Sequence, residues 1–156
     1  MSKAIVVFDS MFGNTEKIAK ALALGLEKRG MQVNCVKVDE AVVDKMADYE
    51  LLALGGPTHM AGMSKPMKRF LEELGNIDIR GIMGFCFDTR NESRFNRFDL
   101  NSAAKRIEKK MKRMKVKMIH PRLSAIVEGR EGPLEVDAEK EFEWLGEKIA
   151  GSIHSG

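Results

Sequence analysis

The sequence predicts an α/β fold in which helices cover both faces of a five-stranded parallel sheet. Short β-rich apolar runs alternate along the chain with stretches whose apolar residues recur at helical spacing. Ala4–Phe8 and Leu51–Leu54 are apolar throughout, which is typical of strands that are buried on both faces. The connections are short, so right-handed crossovers would place helices on both sides of the sheet. These observations predict a doubly wound sheet, for which we expect the strand order 2-1-3-4-5.

The first half of the chain contains three predicted strands. After Ala4–Phe8, Ile18, Leu22 and Leu26 mark the apolar face of a helix, and Gly30 is placed to end it. Gln32–Val38 mixes polar residues into a β-rich run, which favours an edge strand. The remaining elements of this half are a short helix at Ala41–Met46, the central strand Leu51–Leu54 and a helix that starts at Ser64 and Pro66.

The second half repeats the alternation of strands and helices. Its segments are a strand at Ile79–Phe87, a basic helix with apolar positions from Ala103 to Met114, a last strand in two halves at Val116–Ile119 and Ser124–Val127, and a final helix capped by Asp137. Pro121 interrupts the last strand, and proline within a strand favours an edge position. The one long irregular stretch is Asp88–Leu100, and a loop of that length in a compact domain is usually functional.

Length and composition indicate a single domain spanning residues 1–156. The chain is 44% hydrophobic and 31% charged, so it can bury a core. No apolar run approaches the roughly 20 residues that a membrane helix needs. Lys3 is followed by only five apolar residues before Asp9, which does not fit a signal peptide. Cys35 and Cys86 lie far apart and form no ligand pattern, so we expect buried free thiols and a cytoplasmic location.

Positive charge is concentrated in one segment. The net charge is +3, and residues 105–117 carry eight cations and one Glu. This segment is either a solvated helix face or a docking surface for an anionic partner. No aromatic residues are interleaved with these cations, so binding of nucleic acid is not expected.

The most informative segment follows the first strand. Asp9–Thr15 places two hydroxyls, an amide side chain and a glycine just before a helix start. Backbone N–H groups and the helix dipole make such a turn an anion site suited to phosphate, although the same residues also suit an ordinary helix cap. The candidate phosphate-binding residues are Ser10, Met11, Phe12, Gly13, Asn14 and Thr15.

The residues present exclude three other kinds of phosphate-binding or phosphorylated site. A nucleoside triphosphatase loop needs paired glycines followed by Lys and Ser or Thr, which this turn lacks. The dinucleotide-binding turn needs several glycines, and here there is one. A phosphorylated receiver domain needs acids after strands one and three, but the third strand ends in Gly55-Gly56-Pro57-Thr58.

Two further loops are expected to lie beside the first. In a sheet of order 2-1-3-4-5, the loops after strands one, three and four meet at the carboxyl edge where ligands bind. The first loop would hold a phosphate, and the other two would form the walls of a flat slot. The candidate residues are Pro57, Thr58, His59, Met60, Ala61 and Gly62 in the second loop, and Phe87, Asp88, Thr89 and Arg90 in the third.

These motifs resemble those of the flavodoxin family. Asp9-Ser10-Met11-Phe12-Gly13-Asn14-Thr15 is similar to the family's phosphate loop, and Gly56-Pro57-Thr58-His59 is similar to the second flavin loop in flavodoxin domains of flavo-diiron proteins and related quinone reductases. The resemblance implies a flavodoxin-like fold and FMN as the cofactor. It places the phosphate on Ser10, Thr15 and the intervening amides, and the ring between Thr58–Gly62 and Asp88–Arg90.

The resemblance implies an electron carrier, with two alternatives. One is an NAD(P)H-dependent FMN reductase of quinones or similar acceptors, and the other is a binding module without redox chemistry. For the carrier we expect a redox partner with an acidic docking face, steered by Lys65, Lys68, Arg69, Arg94 and Arg97.

The third loop departs from the family pattern. Flavodoxins commonly place Tyr or Trp there, but the lone Tyr49 and Trp144 lie elsewhere in this chain. Cover for the flavin ring would then come from His59, Met60, Phe95 or Phe98. His59 either contacts the ring or packs within a turn, and Asp88 either caps its loop or receives the ring N–H. Arg90 either raises the flavin potential as a nearby cation or is a solvated loop residue. Gly62 is expected to adopt a backbone angle that other residues avoid.

Overall fold

A computed structural model of the chain describes residues 2–58, 62–91 and 102–155. The strands there are β1 Lys3–Phe8, β2 Gln32–Lys37, β3 Leu51–Pro57, β4 Met83–Asn91, β5 Lys117–Met118 and β6 Leu123–Val127. The α-helices are α1 Asn14–Lys28, α2 Lys65–Leu74, α3 Ala103–Arg113 and α4 Ala138–Ser155. Two 3-10 helices, Val38–Glu40 and Val43–Asp48, separate β2 from β3. None of the helices described here has the length and apolar character that crossing a membrane requires.

The strands form one parallel sheet in the predicted order β2-β1-β3-β4-β5, which confirms the fold class. The last strand is broken as predicted, since β5 pairs with the start of β4 and β6 pairs with its end. Pro121 lies in the interruption, where its missing N–H costs the sheet no hydrogen bond.

Two hydrophobic cores flank the sheet. Side chains alternate along β1, so Val6 faces the core under α1 and α4, while Val7 faces the core under α2 and α3. The central strands are therefore buried on both faces, which explains why their sequences are apolar throughout. The site described below lies at the carboxyl edge of these buried strands.

Several element boundaries differ from the sequence prediction. β4 begins at Met83 rather than Ile79 and continues to Asn91, because β6 supplies hydrogen-bonding partners to its last five residues. Asp88, Thr89 and Arg90 therefore lie on a strand and not in a loop. The rest of the predicted Asp88–Leu100 loop falls outside the described residues, apart from Asn91.

Three smaller predictions also need correction. The predicted helix at Ala41–Met46 is replaced by the 3-10 helix Val43–Asp48, and α1 begins at Asn14, inside the segment Asp9–Thr15 that was expected to precede the helix. Cys86 is buried as expected, but Cys35 is half-buried because β2 is an edge strand. Both thiols are free, as predicted.

Candidate functional site

The loop after β1 is held in shape by its own hydrogen bonds. The Asp9 amide donates to the carbonyl of Gly55 at 3.0 Å, which fixes the loop to the end of β3. The Ser10 amide donates to Asp9 Oδ1 at 3.0 Å, and the Gly13 amide donates to Ser10 Oγ at 3.0 Å. These bonds fold the loop back on itself directly before α1.

The N-terminus of α1 lacks the side-chain cap that the helices α2 and α3 have. Ser64 Oγ accepts from the Met67 amide at the start of α2, and Ser102 Oγ accepts from the Lys105 amide at the start of α3. At the start of α1 stands Gly13, with a left-handed φ of 90° and no side chain to cap the helix. No described atom lies within 4 Å of the position that a Cβ on Gly13 would take. The first-turn amides of α1 therefore have no side-chain cap as acceptor, and they lie at the positive end of the helix dipole.

A pair of threonines joins the first and third predicted loops. Thr15 Oγ1 and Thr89 Oγ1 are 2.8 Å apart, and both residues are buried. One hydroxyl donates to the other, so the hydrogen of the accepting hydroxyl can still be given to a further acceptor. This contact brings β4 to the start of α1, as the predicted strand order requires.

Asn14 is hydrogen-bonded to the loop after β6, which the sequence analysis did not predict to be part of the site. Its Nδ2 donates to the carbonyl of Glu131 at 3.0 Å, and a Cβ on Gly132 would lie 3.0 Å from Asn14 Oδ1. Gly132 also has a φ of 118°, a backbone angle that glycine adopts more easily than other residues. The loop after β6 thus closes one side of the site, and the Gly-Pro pair at 132–133 was its only sequence signal.

Asp88 connects the second and third predicted loops to α3. The Thr58 hydroxyl donates to Asp88 Oδ2 at 2.9 Å, and the Ala104 amide donates to the same oxygen at 3.0 Å. Thr58 Oγ1 in turn accepts from the Ala103 amide at 2.9 Å, and the Thr58 amide donates to the carbonyl of Thr89 at 2.8 Å. Asp88 is 0% exposed, and its Oδ1 has no hydrogen-bond partner among the described residues.

The remaining predicted site residues are placed as follows. Met11 and Phe12 are 59% and 40% exposed, and Pro57 ends β3. Gly62 has a φ of 89°, which confirms its expected backbone angle, and the Arg106 side chain lies beside it. His59, Met60 and Ala61 lie outside the described residues, as do Phe95 and Phe98.

The side chains of Phe87 and Arg90 face different sides of the sheet. The Phe87 ring is fully buried, lies against Gly55 and packs edge-on against Phe142 at 5.8 Å, so only its main chain is near the loops. Arg90 is half-buried on β4 and lines a cavity beside α3, so it is not a solvated loop residue. Its effect on a flavin potential stays a prediction.

Tyr49 and Trp144 lie away from the candidate site, as the sequence analysis expected. The Tyr49 hydroxyl accepts from Asn34 Nδ2 at 2.7 Å beside the edge strand β2. Trp144 lies exposed on α4, with Lys148 Nζ 5.3 Å from its ring centroid.

Comparison with known proteins identifies the family. Residues 6–144 match the family model described as Flavodoxin. The chain belongs to the flavodoxin family. A solved structure of a flavodoxin from the domain Archaea superposes with a TM-score of 0.84 at 27% identity, covering 97% of this chain and 99% of that one.

Curated relatives include both flavodoxins and quinone-reducing enzymes. A flavodoxin from Aquifex aeolicus (strain VF5) is 37% identical over 93 residues, which cover 57% of this chain and 50% of that protein. An NAD(P)H dehydrogenase (quinone) from Cupriavidus metallidurans is 28% identical over 103 residues, which cover 53% of this chain and 52% of that protein. The chain thus spans about half the length of these curated relatives.

Flavodoxins bind FMN, so the cofactor expected from the motifs is confirmed at the level of the family. The described residues of this flavodoxin-family chain fit the phosphate of that cofactor. The uncapped helix start and the Thr15 hydroxyl provide donors, and the space beside Gly13 is open. This donor set is suited to an oxyanion.

Proposed function

We propose that this chain is an electron carrier that binds FMN at the carboxyl edge of β1, β3 and β4. The N-terminus of α1 carries the proposal, since it is the one of the three helix starts compared above that has no side-chain cap. Ser10, Thr15 and the amides between them would hold the phosphate, apart from the Gly13 amide, which donates to Ser10 Oγ. Thr58–Gly62 and the segment from Asp88 to Arg90 would form the walls for the ring.

When bound, FMN supplies the electron-transfer chemistry, and the residues of the chain bind and orient it. The hydrogen bonds of Asp88 fix the wall residue Thr58 against α3, so the wall keeps its position as the site fills. Exposed Met11 and Phe12 lie on the phosphate loop, where their apolar side chains would exclude water from the cofactor or contact a partner. No side chain needs an acid–base role in this function.

The alternative function is NAD(P)H-dependent reduction of quinones or similar acceptors through FMN. The quinone dehydrogenase relative is the observation that favours it. The two functions differ in how the flavin is reduced. Stopped-flow mixing of the FMN-loaded protein with NADH or NADPH would bleach the flavin absorbance rapidly for the enzyme. For the carrier, bleaching requires a separate reducing protein or dithionite.

Substitution of the two bridged threonines tests the phosphate site. Thr15→Val and Thr89→Val both break the same 2.8 Å hydrogen bond, so their effects on unfolding should be similar. Only Thr15→Val removes a proposed phosphate donor, and loss of a hydrogen bond to a charged group is worth about tenfold or more in affinity. FMN titration followed by flavin fluorescence should therefore show weaker binding for Thr15→Val than for Thr89→Val.

Two outcomes of this titration contradict the proposal. Equal affinities of the two variants would show that Thr15 does not contact the phosphate. A wild-type protein that is colourless when purified and also rejects added FMN would favour the binding-module alternative. A visible spectrum recorded with and without added FMN provides that second observation.

A further inference from the structure

The outer face of α4 carries an exposed tryptophan that the proposed function does not use. Trp144 is the lone tryptophan of the chain, and it is 61% exposed. Leu24 on the neighbouring helix α1 is 46% exposed. The two helices touch next to both residues, because a Cβ on Gly25 would meet the carbonyl oxygen of Glu143. Tryptophan is enriched at protein interfaces, where it often contributes a large share of the binding energy.

The charged residues around Trp144 are arranged symmetrically along α4. Glu141 and Lys140 precede it by three and four residues, and Glu147 and Lys148 follow it by three and four. Residues three and four apart are neighbours on a helix surface, so these four side chains surround the tryptophan. In both directions from Trp144 an acid comes first and a base second. The two acids and two bases cancel, so this face does not select a partner of one charge sign.

Two of these four charges already have contacts within the chain. Arg29 Nε lies 3.6 Å from Glu147 Oε1, and Lys148 Nζ lies 5.3 Å from the centroid of the tryptophan ring. Lys140 and Glu141 are exposed, and their side chains form no ion pair with any residue that the structure describes. A carboxylate accepts several hydrogen bonds and an ammonium donates three, so Glu147 and Lys148 can each take a second partner.

A second copy of the chain, packed antiparallel on this face, would pair all four charges. Lys140 and Glu147 are seven residues apart and flank Trp144 on one side, whereas Glu141 and Lys148 flank it on the other. A twofold axis through the centre of the face reverses the direction of the second helix but keeps each side opposite itself. Lys140 then lies opposite Glu147 of the second copy, and Glu141 lies opposite Lys148 of the second copy. Each pair occurs twice, and the two Trp144 rings meet at the centre.

We propose that the chain forms a weak symmetric dimer through the outer face of α4, with Trp144 at its centre. A contact made mainly by one helix of each copy is at the small end of interface sizes, so its association is readily reversible. Helix α4 lies across the sheet from α2 and α3, so the exposed lysines of α2 stay accessible in the dimer. This inference goes beyond the proposed function and does not depend on FMN binding.

Sedimentation equilibrium of the full-length chain tests the dimer, both with excess FMN and without it. Protein concentrations from about 10 µM to 1 mM cover the range expected of a weak contact. The apparent mass should rise with concentration from that of one chain toward that of two. The emission maximum of Trp144 should shift to shorter wavelength over the same range, because the dimer removes its ring from water.

Removal of the tryptophan side chain should break the centre of the interface. Trp144→Ala should weaken dimerisation about thirtyfold, as expected for a central interface tryptophan. Val42→Ala is the matched control, since it also truncates an exposed apolar side chain. Val42 is 51% exposed, but it lies between the two 3-10 helices that pack against α2, so its loss should leave dimerisation unchanged.

Charge variants test the antiparallel pairing. Glu141→Lys and Lys148→Glu each place like charges opposite one another, so each variant alone should dimerise about tenfold more weakly than the wild type. In an equimolar mixture each variant supplies the charge that the other lacks, so dimers with one copy of each should form as in the wild type. Glu139→Lys is the control, because it makes the same charge change at an exposed residue of α4 outside these four positions. It should leave dimerisation unchanged.

The proposal is overturned if the wild-type chain stays monomeric up to about 1 mM, or if Trp144→Ala dimerises as strongly as Val42→Ala. It is also overturned if the equimolar mixture associates no better than either charge variant alone, because the four charges would then not face one another across a twofold axis. Urea denaturation checks that each variant is folded. If the chain does not bind FMN, sedimentation without FMN still measures the dimer, so failure of the proposed function is distinguished from failure of this one.

Discussion

Asp88 is the residue whose environment depends most on the surrounding fold. Its buried Oδ2 accepts hydrogen bonds from the Thr58 hydroxyl and from the Ala104 amide, which belong to the segment after β3 and to the start of α3. Through Oδ2, Asp88 thus links two other segments of the chain from its place on β4, rather than capping a loop of its own. The other oxygen, Oδ1, has no hydrogen-bond partner in the described part of the chain, so contact with a flavin ring stays a prediction for that atom.

Substitution of Asp88 should separate hydrogen bonding from charge. Asp88→Ala leaves the Thr58 hydroxyl and the Ala104 amide without their acceptor, and we expect the free energy of unfolding to fall by about 2 kcal/mol. Asp88→Asn is the matched control, because its amide oxygen can still accept both hydrogen bonds, and it should cost less. Urea denaturation of the two variants measures this difference. Equal losses would mean that the charge, and not the acceptor, stabilises the junction.

The two cysteines should be unreactive at neutral pH. Burial raises the pKa of the Cys35 thiol to about 11, against a small opposing effect of Lys20. Burial also raises the pKa of Cys86 well above its usual range. The thiolate is the reactive form, so Cys35 should be alkylated by iodoacetamide at pH 8 about a hundredfold more slowly than in the urea-unfolded chain. A Cys35→Ser variant identifies the residue, and equal folded and unfolded rates would contradict the expectation.

The same pKa shift predicts a pH dependence of stability. The Cys35 thiol has an ordinary pKa of 9.0 in the unfolded chain, and burial raises this pKa to about 11 in the folded protein. Its contribution to the free energy of unfolding is therefore complete below pH 9 and is lost as the pH rises toward 11. Cys35→Ser should reduce this loss, as measured by urea denaturation at both pH values.

At the scale of elements, the packing of α1 against α4 depends on two glycines. A Cβ on Gly25 would meet the carbonyl oxygen of Glu143, and a Cβ on Gly146 would meet the carbonyl oxygen of Leu22. Both obstacles are backbone atoms, which cannot move aside as a flexible side chain would. The two helices therefore lie closer together than they could if residues with side chains replaced Gly25 and Gly146.

Two alanine substitutions within α4 should change the free energy of unfolding in opposite directions. Gly146→Ala forces the helices apart, and we expect a loss of about 3 kcal/mol in the free energy of unfolding. Gly151→Ala is the control in the same helix, because no described atom lies within 4 Å of its added Cβ. It should stabilise the protein by up to about 1 kcal/mol through helix propensity. Thermal or urea unfolding compares the two, and a neutral Gly146→Ala would contradict close packing.

Some features of the elements could be predicted from local sequence patterns, and others could not. Gly30 and Gly62 have φ values of 90° and 89°, and Ser64 caps α2, so local patterns predicted these positions correctly. The end of β4 was missed because its strand partner β6 lies more than thirty residues later in the chain. Asp88 and Arg90 have no strong strand propensity, so the distant pairing with β6 is what extends the strand through them.

The candidate site was predictable in its topology but not in its contacts. Three separate loops were expected at one edge, and the hydrogen bonds between Thr15 and Thr89 and between Thr58 and Asp88 join them there. The role of Glu131 depends on the conformation of the loop after β6, which no motif specified. Alternation along β4 turns the Phe87 ring toward the core, so a role of Phe87 in the site stays a prediction for its main chain.

At the scale of the whole molecule, charge is distributed unevenly between the two faces of the sheet. Helix α3 carries six cations and one Glu, whereas α4 on the other face carries four Glu and two Lys. Cations of α1 pair with α4, as in the contacts Lys28–Glu143 at 3.1 Å and Arg29–Glu147 at 3.6 Å, the latter just beyond the end of α1. The α2 and α3 side is therefore the face on which an acidic partner would dock.

This asymmetry gives a prediction about reaction rates that rests on the proposed electron-carrier function. Lys65, Lys68 and Arg69 are exposed at the start of α2, close to the second predicted flavin loop, while Arg94 and Arg97 lie outside the described residues. Oxidation of the reduced protein by ferricyanide, an anion, should slow as salt is added, because salt screens the attraction. Oxidation by hexaammineruthenium, a cation, should accelerate under the same conditions.

A pair of charge reversals localises the effect. Lys68→Glu should lower the ferricyanide rate about threefold at low salt, since the reversed charge lies on the docking face. Lys140→Glu changes the net charge equally, but it lies exposed on α4 across the sheet and should change the rate little. If the oxidation rates with both oxidants did not depend on salt concentration, electrostatic steering of the oxidants would be contradicted. Equal slowing by the two variants would mean that net charge, and not the position of the lysines on α2, governs encounter.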